Sequence, residues 1–354
     1  MIEVEDLDIQ TKIMDNKKKQ RLLSIDLGYS SAKICRYNED GVLTVEKEIS
    51  AIAKVENPLI ADDDVIFNLS GDYFLIGPNA LMAPRSCLLN LEKYEDLKIA
   101  YPAFVSSIVK RLGGFQAFDK IAIGLSLAYK DKGQDILDHL KNTLMVDDGL
   151  FVALPQGIMA KYCYEEYGLH VGEAAKKNYE RLQSWLSLDG GFLTADLNAC
   201  IQGTASASSA IGIENTGVIC IAYDLIDYIF KNYEWRISPK EALTIIDNDG
   251  VWIRRGKEFN FSEQVKEFTK KYLSNVFNLV EDKFSDSLDN LQGILVIGGL
   301  SYLVNKYIED PDIVKMIESH FPVSFLKVPK HHGEYYNAIG YMKFLEKMID
   351  EGKM

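Results

Sequence analysis

The strongest constraint on the fold of this chain is a short pattern that occurs twice, roughly 160 residues apart. The apolar run LLSIDLG at 22–28 predicts a strand that ends at Asp26 and runs into a tight turn. A second strand at about 31–37 and a third through residue 49 complete a three-stranded unit. From Ser187 the sequence repeats the same order of strand, small-residue turn, strand, turn and strand. Two copies of one unit indicate a duplicated domain.

The segments that follow each copy complete an α/β pattern. A chain of 354 residues is long enough for two compact domains. Apolar residues at helical spacing alternate with strand-like apolar runs in both halves. Helices are predicted at 85–112 with an interruption at Tyr101–Pro102, and at 134–144, 157–167, 216–232, 239–247, 262–282 and 335–348. Further strands are predicted at 120–129, 150–154 and 293–299, with a hairpin at 251–261.

The composition disfavours several classes of function. Acidic residues outnumber basic residues by 52 to 39, so the net charge is −13 and little is gained from counterion release on nucleic acid. The five cysteines are widely scattered, without the spacing of a zinc or redox site, which indicates reduced thiols. The N-terminus lacks the apolar core of a signal peptide, and no apolar run is long enough to span a membrane. We therefore expect a cytoplasmic protein that binds neither nucleic acid directly nor a membrane.

Four groups of residues could carry chemistry, and the first is the turn after the first strand. Asp26 is a carboxylate at a strand end, where it can hold the water shell of Mg²⁺. Gly28 lets backbone amides approach a phosphate, and Ser30 and Ser31 add short hydrogen-bond donors. Lys33 can reach a phosphate as a point charge. A lone Asp-x-Gly turn also occurs in ordinary β-hairpins, so the weight of this group depends on its repetition.

The second and third groups are also glycine-rich strand ends. Asp189-Gly190-Gly191-Phe192-Leu193-Thr194-Ala195-Asp196 repeats the first turn. Two such turns facing each other would hold a polyphosphate from both sides. Gly298 and Gly299 follow the apolar strand 294–297, where the missing Cβ atoms leave room for a base or ribose. A simple strand-to-helix turn is the alternative for this third group.

The fourth group is a glutamine that follows a strand. Gln156 stands after the apolar run 150–154, between the two glycine turns in sequence. A side-chain amide can orient an attacking water because it donates and accepts hydrogen bonds at once. The alternative is an exposed glutamine at the entry of a helix, with no chemical role.

In this order the four groups resemble the motifs of the actin-like ATPase superfamily. DLGYSSAK at 26–33 resembles the phosphate-1 motif, LDGGFLTAD at 188–196 the phosphate-2 motif, and VIGGLS at 296–301 the adenosine motif. Phe192 and Leu300 depart from the usual small residues of these motifs. GLSLAY, LPQGIMA, YFLIGPNAL and the Asn337-Ala338-x-Gly340 ending resemble the ParM-type bacterial plasmid-segregation actins.

The resemblance implies an α/β actin-like fold, with two ribonuclease H-like domains flanking a nucleotide cleft. It implies a flexible tail at 1–20, domain I at 21–178 plus 335–354, and domain II at 179–334. The implied ligands are ATP or ADP, with GTP as an alternative, and Mg²⁺ held through water by Asp26 and Asp189. The implied catalytic residues are Gln156, Asp189, Asp26 and Asp196. The implied nucleotide contacts are Asp26, Gly28, Tyr29, Ser30, Ser31, Lys33, Gly190, Gly191, Phe192, Thr194, Gly298, Gly299 and Leu300.

By the same resemblance, the chain is expected to be an ATPase that polymerises. ATP would favour the filament, hydrolysis would time its disassembly, and a DNA-binding adaptor protein would connect it to a plasmid. A sugar- or acetate-kinase-type phosphotransferase is one alternative, but it needs a carboxylate base where this chain has Pro155-Gln156. A non-hydrolysing scaffold on a membrane is the other, and residues 1–20 lack a clear amphipathic anchor for it.

Overall fold

The structure is a computed structural model, and it describes residues 21–56, 66–69, 71–89, 94–167, 183–214, 216–329 and 333–354. The tail predicted at 1–20 lies outside the described residues. The strands are β1 (Leu22–Leu27), β2 (Ser31–Tyr37), β3 (Leu43–Ile49), β4 (Ile52–Val55), β5 (Ile66–Leu69), β6 (Asp72–Ile76), β7 (Lys120–Leu125), β8 (Phe151–Pro155), β9 (Trp185–Gly190), β10 (Thr194–Ile201), β11 (Thr204–Glu214), β12 (Val251–Arg254), β13 (Lys257–Asn260), β14 (Ile294–Gly298) and β15 (Leu326–Lys327). The α-helices are α1 (Tyr94–Arg111), α2 (Gly133–Leu144), α3 (Ala160–Tyr167), α4 (Ile219–Tyr233), α5 (Pro239–Asp247), α6 (Ser262–Leu288), α7 (Gly299–Tyr307), α8 (Pro311–Glu318) and α9 (Tyr336–Asp350).

The chain divides into two compact units that contain the same sheet. Unit 1 is Met1–Tyr179 with Tyr335–Met354, and unit 2 is Glu180–Glu334. The strand order is β3-β2-β1-β7-β8 in unit 1 and β11-β10-β9-β14-β15 in unit 2. In each sheet the first three strands of this order pair antiparallel with their neighbours. The fourth strand is parallel to the third, and the fifth is parallel to the fourth. The predicted mixed α/β class is confirmed. The predicted boundary near residue 178 stays a prediction, because 168–182 lie outside the described residues.

Strand β1 is the centre of the sheet in unit 1. Leu23 and Ile25 are fully buried in a core that they share with α1. Because side chains alternate along a strand, Ser24 points to the opposite face, where its hydroxyl donates to the carbonyl of Ala338 in α9 at 2.6 Å. Asp26, two residues further, lies on the same face as Ser24. Helix α9 therefore covers the face of the sheet that carries Asp26.

Helix α1 corrects one prediction. The sequence indicated a helix from residue 85 with an interruption at Tyr101–Pro102, but α1 begins at Tyr94 and continues through Pro102. A proline inside a helix leaves the carbonyl four residues earlier without its N–H donor. Here that carbonyl belongs to Lys98, and Nε2 of His139 in α2 donates to it at 2.7 Å. The helix continues because a neighbouring helix replaces the missing donor.

Other differences from the predictions arise where short elements meet. The strand predicted at 120–129 ends at Leu125, because the Ser126 side chain accepts from the Ala128 N–H at 3.3 Å and begins a 3₁₀ turn. The sequence pattern did not indicate the three-stranded sheet β4-β6-β5, nor β15, α7 and α8. These strands have two to five residues, too few for an alternating pattern to stand out.

In unit 2 the helix predicted at 239–247 is confirmed as α5, and Ser238 caps its start. The Ser238 hydroxyl accepts from the Glu241 N–H at 3.2 Å, while the Glu241 carboxylate accepts from the Ser238 N–H at 2.9 Å. The hairpin predicted at 251–261 is also confirmed, as β12 and β13. Among the described residues, no helix combines the length and the apolar character that crossing a bilayer requires.

Candidate functional site

In unit 1 the first group of site residues surrounds the end of β1. Asp26 is only 3% exposed and is the residue opposite Lys33 in the β1–β2 pairing. The turn between the strands closes when the N–H of Gly28 donates to the carbonyl of Ser31 at 3.1 Å. A Cβ on Gly28 would lie 3.0 Å from that carbonyl oxygen, so close packing favours glycine at this position.

Gln156 lies directly beside Asp26. Strands β1, β7 and β8 are parallel neighbours, so the residue after β8 reaches the same sheet edge as the end of β1. Nε2 of Gln156 donates to Oδ1 of Asp26 at 2.7 Å. The Gln156 backbone N–H donates to the carbonyl of Leu125 at 2.9 Å, which fixes its place at the strand end. Asp26 and Gln156, which belong to two different candidate groups in the sequence, are therefore joined by a hydrogen bond.

Three residues that the sequence analysis did not select pack around this group. A Cβ on Gly124 in β7 would lie 2.8 Å from Oδ1 of Asp26 and would also meet the hydroxyl of Tyr341 in α9. The hydroxyl of Tyr101 donates to the carbonyl of Gly124. Burial raises the pKa of Tyr101, and the charge of Asp26 adds to the effect, so the phenol stays neutral. Tyr101 and Tyr341 stand among apolar residues at helical spacing, a pattern that indicates only a core. Gly124 is one residue of a buried strand, so it gave no functional signal either.

In unit 2, Asp189 and Asp196 face each other on neighbouring strands. They are paired residues of β9 and β10, 5% and 1% exposed. The turn between these strands closes when the N–H of Gly191 donates to the carbonyl of Thr194 at 2.9 Å. The same closure, from a glycine N–H to the carbonyl three residues later, occurs after β1 in unit 1. The repeat in the sequence is thus a repeat of backbone geometry.

The third group lies beside the second. Gly298 ends β14 and pairs in parallel with Gly190 at the end of β9. Gly298 has a φ of +70°, and a Cβ there would overlap Oδ1 of Asp189. A Cβ on Gly190 would overlap the side chain of Leu300, which is itself fully buried. Leu300 can therefore contact a ligand only through its backbone, whereas Gly299 is exposed.

The start of α4 completes the second turn and was missed by the sequence analysis. The N–H of Val218 donates to the carbonyl of Gly191 at 3.0 Å, and that of Ile219 to the carbonyl of Phe192 at 2.9 Å. A Cβ on Gly217 would overlap the Phe192 carbonyl oxygen. Gly217, at the start of the helix predicted at 216–232, was the available signal for this close approach.

Each unit carries, beside its glycine turn, a carboxylate of the kind that Mg²⁺ binds. Within the described ranges, no three or more His, Cys, Asp and Glu side chains are grouped for a metal. Mg²⁺ usually keeps several waters and binds one or two carboxylates together with substrate phosphates, so it does not need such a group. Asp26 in unit 1 and Asp189 in unit 2 are each such a carboxylate, near the end of a strand and next to a glycine turn.

The chain was compared with known proteins. No family model and no curated protein sequence matches it. A 15-stranded ParM filament from Clostridium botulinum is 15% identical with a TM-score of 0.67, over 93% of this chain and 100% of that chain. An archaeal actin homologue in complex with ADP is 15% identical with a TM-score of 0.64, over 93% and 100%. Bacillus thuringiensis ParM with ATP is 15% identical with a TM-score of 0.58, over 94% and 100%. Likeness at this level of identity concerns the fold.

Proposed function

Since the chain has the actin-like fold found in ParM and in archaeal actin homologues, as its motifs predicted, we propose that it is an ATP-driven filament-forming protein. It hydrolyses ATP to time filament disassembly, and it segregates plasmid DNA in the cytoplasm through a DNA-binding adaptor protein. The observation that carries the proposal is the repeated turn. In both units a glycine N–H donates to the carbonyl three residues later, and a buried aspartate precedes that glycine by two residues. Two such turns supply backbone donors for a chain of phosphates.

Each unit contributes its own part of the proposed nucleotide site. In unit 1 the turn at 28–31 offers backbone and hydroxyl groups of Tyr29, Ser30 and Ser31, Gly28 leaves room for a phosphate to approach, and half-buried Lys33 adds a positive charge. In unit 2 the corresponding contacts are the backbone of Phe192 and the Thr194 hydroxyl, while Gly190 and Gly191 leave room for a phosphate to approach. Gly298, Gly299 and the backbone of Leu300 form the edge for adenosine, since glycine keeps this edge open.

Asp26 and Asp189 would hold the Mg²⁺ ion through its water shell. When bound, the ion neutralises charge on the transferred phosphate group and helps to orient it. Asp196 lies opposite Asp189 and is almost fully buried, so it acts on the site chiefly by positioning Asp189.

Gln156 is the proposed residue that positions the attacking water. Its Nε2 is committed to Asp26, which fixes the direction of the amide. The carbonyl oxygen at the other end of the same amide can then accept a hydrogen bond from the water and orient it toward the γ-phosphate. An amide cannot take the proton of an acceptor hydroxyl, so this position disfavours the kinase alternative.

Light scattering and phosphate release, recorded in parallel, test this proposal. Purified protein is mixed with Mg²⁺-ATP and no other substrate, and with Mg²⁺-ADP as the control. We expect scattering to rise with ATP and to decay as phosphate accumulates, with no rise in ADP. A rise without phosphate release would support the scaffold alternative. Flat scattering, with ATP consumed only when a small hydroxylated acceptor is present, would support the kinase alternative.

A further inference from the structure

Four aromatic side chains of unit 2 form a cluster that the proposed nucleotide site does not use. Tyr233 ends α4, Trp235 follows it, and Trp252 and Phe259 lie on β12 and β13. The rings of Tyr233 and Trp235 are stacked with centroids 4.8 Å apart. Trp235 also meets Phe259 edge-on at 4.8 Å and Trp252 at 5.8 Å. We refer to these four residues as the aromatic cluster.

The β12–β13 hairpin adds two cations to the aromatic cluster. Trp252 is opposite Phe259 and Arg254 is opposite Lys257, so all four side chains share one face of the hairpin. The Arg254 guanidinium carbon lies 4.7 Å from the ring centroid of Trp235 and 5.0 Å from that of Trp252. Nζ of Lys257 lies 5.2 Å from the ring centroid of Phe259. Both cations are therefore held by aromatic rings.

Arg254 has hydrogen-bonding capacity that the described part of unit 2 does not satisfy. Its Nη1 is buried without a hydrogen-bond partner among the described residues, and no ion pair between those residues includes Arg254. A guanidinium has five N–H donors in a rigid plane, and a carboxylate fits two of them at once. The indoles of Trp235 and Trp252 already fix the orientation of this plane, so less side-chain entropy is lost when Arg254 pairs with a carboxylate. Because Nη1 itself is shielded from solvent, an incoming carboxylate would pair with the other N–H groups of this partly buried side chain.

The cluster is also accessible from solvent. Tyr233 is 39% exposed, and Trp235, Trp252 and Phe259 are only partly buried. Ile253, on the other face of the hairpin, is 68% exposed. Trp, Tyr and Arg are the residues most enriched at the energetic centres of protein interfaces, and partly exposed rings of this kind mark interaction surfaces.

The charge of the whole chain indicates what covers this surface. The chain has a net charge of −13, so a surface that carries Arg254 and Lys257 is opposite in sign to the net charge of a second copy. We propose that the aromatic cluster, with Arg254 and Lys257, receives an acidic segment of a second copy of this chain. A contact between two different patches repeats from copy to copy and builds a filament rather than a closed dimer. This inference rests on the proposed function for the identity of the partner.

The test compares three variants that each remove one positive charge from unit 2. Arg254→Gln and Lys257→Gln alter the proposed contact, and Lys283→Gln, at an exposed position of α6, is the matched control. Sedimentation in Mg²⁺-ATP gives the lowest protein concentration that assembles. We expect this concentration to rise about tenfold or more for Arg254→Gln, as for a central interface residue, and to stay unchanged for the control. Near-ultraviolet circular dichroism verifies folding, and if Arg254→Gln misfolds, Lys257→Gln carries the test.

Tryptophan fluorescence gives an independent measurement. The chain has three tryptophans, two of them in the cluster, so a Trp185→Phe background reports Trp235 and Trp252 alone. We expect their emission to change as wild-type protein assembles, and to change less in Arg254→Gln. Folded variants that assemble at the wild-type concentration would overturn this inference and leave the proposed function intact. Emission that responds to added duplex DNA but not to protein concentration would also overturn it. A wild-type chain that self-associates at no concentration, with or without nucleotide, would overturn both.

Discussion

The side-chain amide of Gln156 donates a 2.7 Å hydrogen bond to Oδ1 of Asp26, although 130 positions separate the two residues in the sequence. Gln156→Ala removes the amide that would orient the attacking water but leaves the glycine turns unchanged. We expect ATP hydrolysis to slow about 100-fold, the cost of misplacing one reacting group, and ATP affinity to change little. Single-turnover phosphate release and nucleotide titration measure the two effects. Gln134→Ala, an exposed glutamine on α2, is the control. Equal losses of binding and hydrolysis would give Gln156 a structural role.

Asp189 allows a test in unit 2. Asp189→Asn keeps the shape of the side chain but removes the charge beside Asp196. We expect phosphate release to fall about 100-fold or more, as when one charged group of a preorganised site is lost, with the melting temperature unchanged or higher. Asp227→Asn, on the exposed face of α4, is the control. Near-normal release by a folded Asp189→Asn protein would remove this residue from the mechanism.

Gly124 and Gly133 form a matched pair of glycine substitutions. A Cβ on Gly124 would lie 2.8 Å from Oδ1 of Asp26, whereas one on Gly133 would lie 3.7 Å from its nearest neighbour. We expect Gly124→Ala to lower the free energy of unfolding by about 1–3 kcal/mol and to slow hydrolysis. Gly133→Ala, at the start of α2, should raise the free energy of unfolding by about 0.5–1 kcal/mol. Urea denaturation of both variants measures the difference, and equal effects would show that the Asp26 surroundings tolerate a methyl group.

The hydrogen bond from His139 to the Lys98 carbonyl makes a prediction about stability. His139→Ala leaves this carbonyl without a donor, which should cost about 1–3 kcal/mol. Pro102→Ala restores a backbone N–H that can donate to the same carbonyl, so His139→Ala should cost less in that background. A double-mutant cycle by chemical denaturation gives the coupling. Additive effects would mean that His139 does not compensate for Pro102.

Cys35 allows a test of burial by pH. Burial raises the pKa of its thiol from 9.0 to about 12, and Lys343 offsets part of this effect. Because the thiolate is the reactive form, alkylation at pH 8 should be about 1,000-fold slower than for an ordinary thiol. Its rate should keep rising past pH 9 and level off only near 12, while the fold persists. Mass spectrometry after iodoacetamide treatment separates Cys35 from half-buried Cys87. Rapid labelling of Cys35 at pH 8 would contradict its burial.

The features that could be predicted from the sequence are those that depend on neighbouring residues. A strand-end aspartate, a glycine and a second strand follow one another directly in DLGYSSAK, so the turn at Gly28 was evident. The capping box at Ser238 is likewise complete within four residues. The actin-like fold followed from the order of these local motifs, because order along the chain is retained when identity is low.

The features that could not be predicted depend on contacts between distant segments. Pro102 indicated an interrupted helix because the bond that compensates for it joins His139 to Lys98, 41 positions apart and on a different helix. The neighbours of Asp26 on β7 and α9, Gly124 and Tyr341, become visible only once the sheet is assembled. Pairing of this kind is set by tertiary packing, which no short window of sequence contains.

The hydrogen bond from Ser24 to the carbonyl of Ala338 has a consequence for how the protein is made. It joins residues 314 positions apart, at the beginning and the end of unit 1. At a synthesis rate of about 5–20 residues per second, the Ser24 hydroxyl exists for roughly 15–60 s before its acceptor is translated. All of unit 2 has left the ribosomal peptidyl-transferase centre by then. We infer that the sheet face that carries Asp26 is covered by α9 only after all of unit 2 has been synthesised.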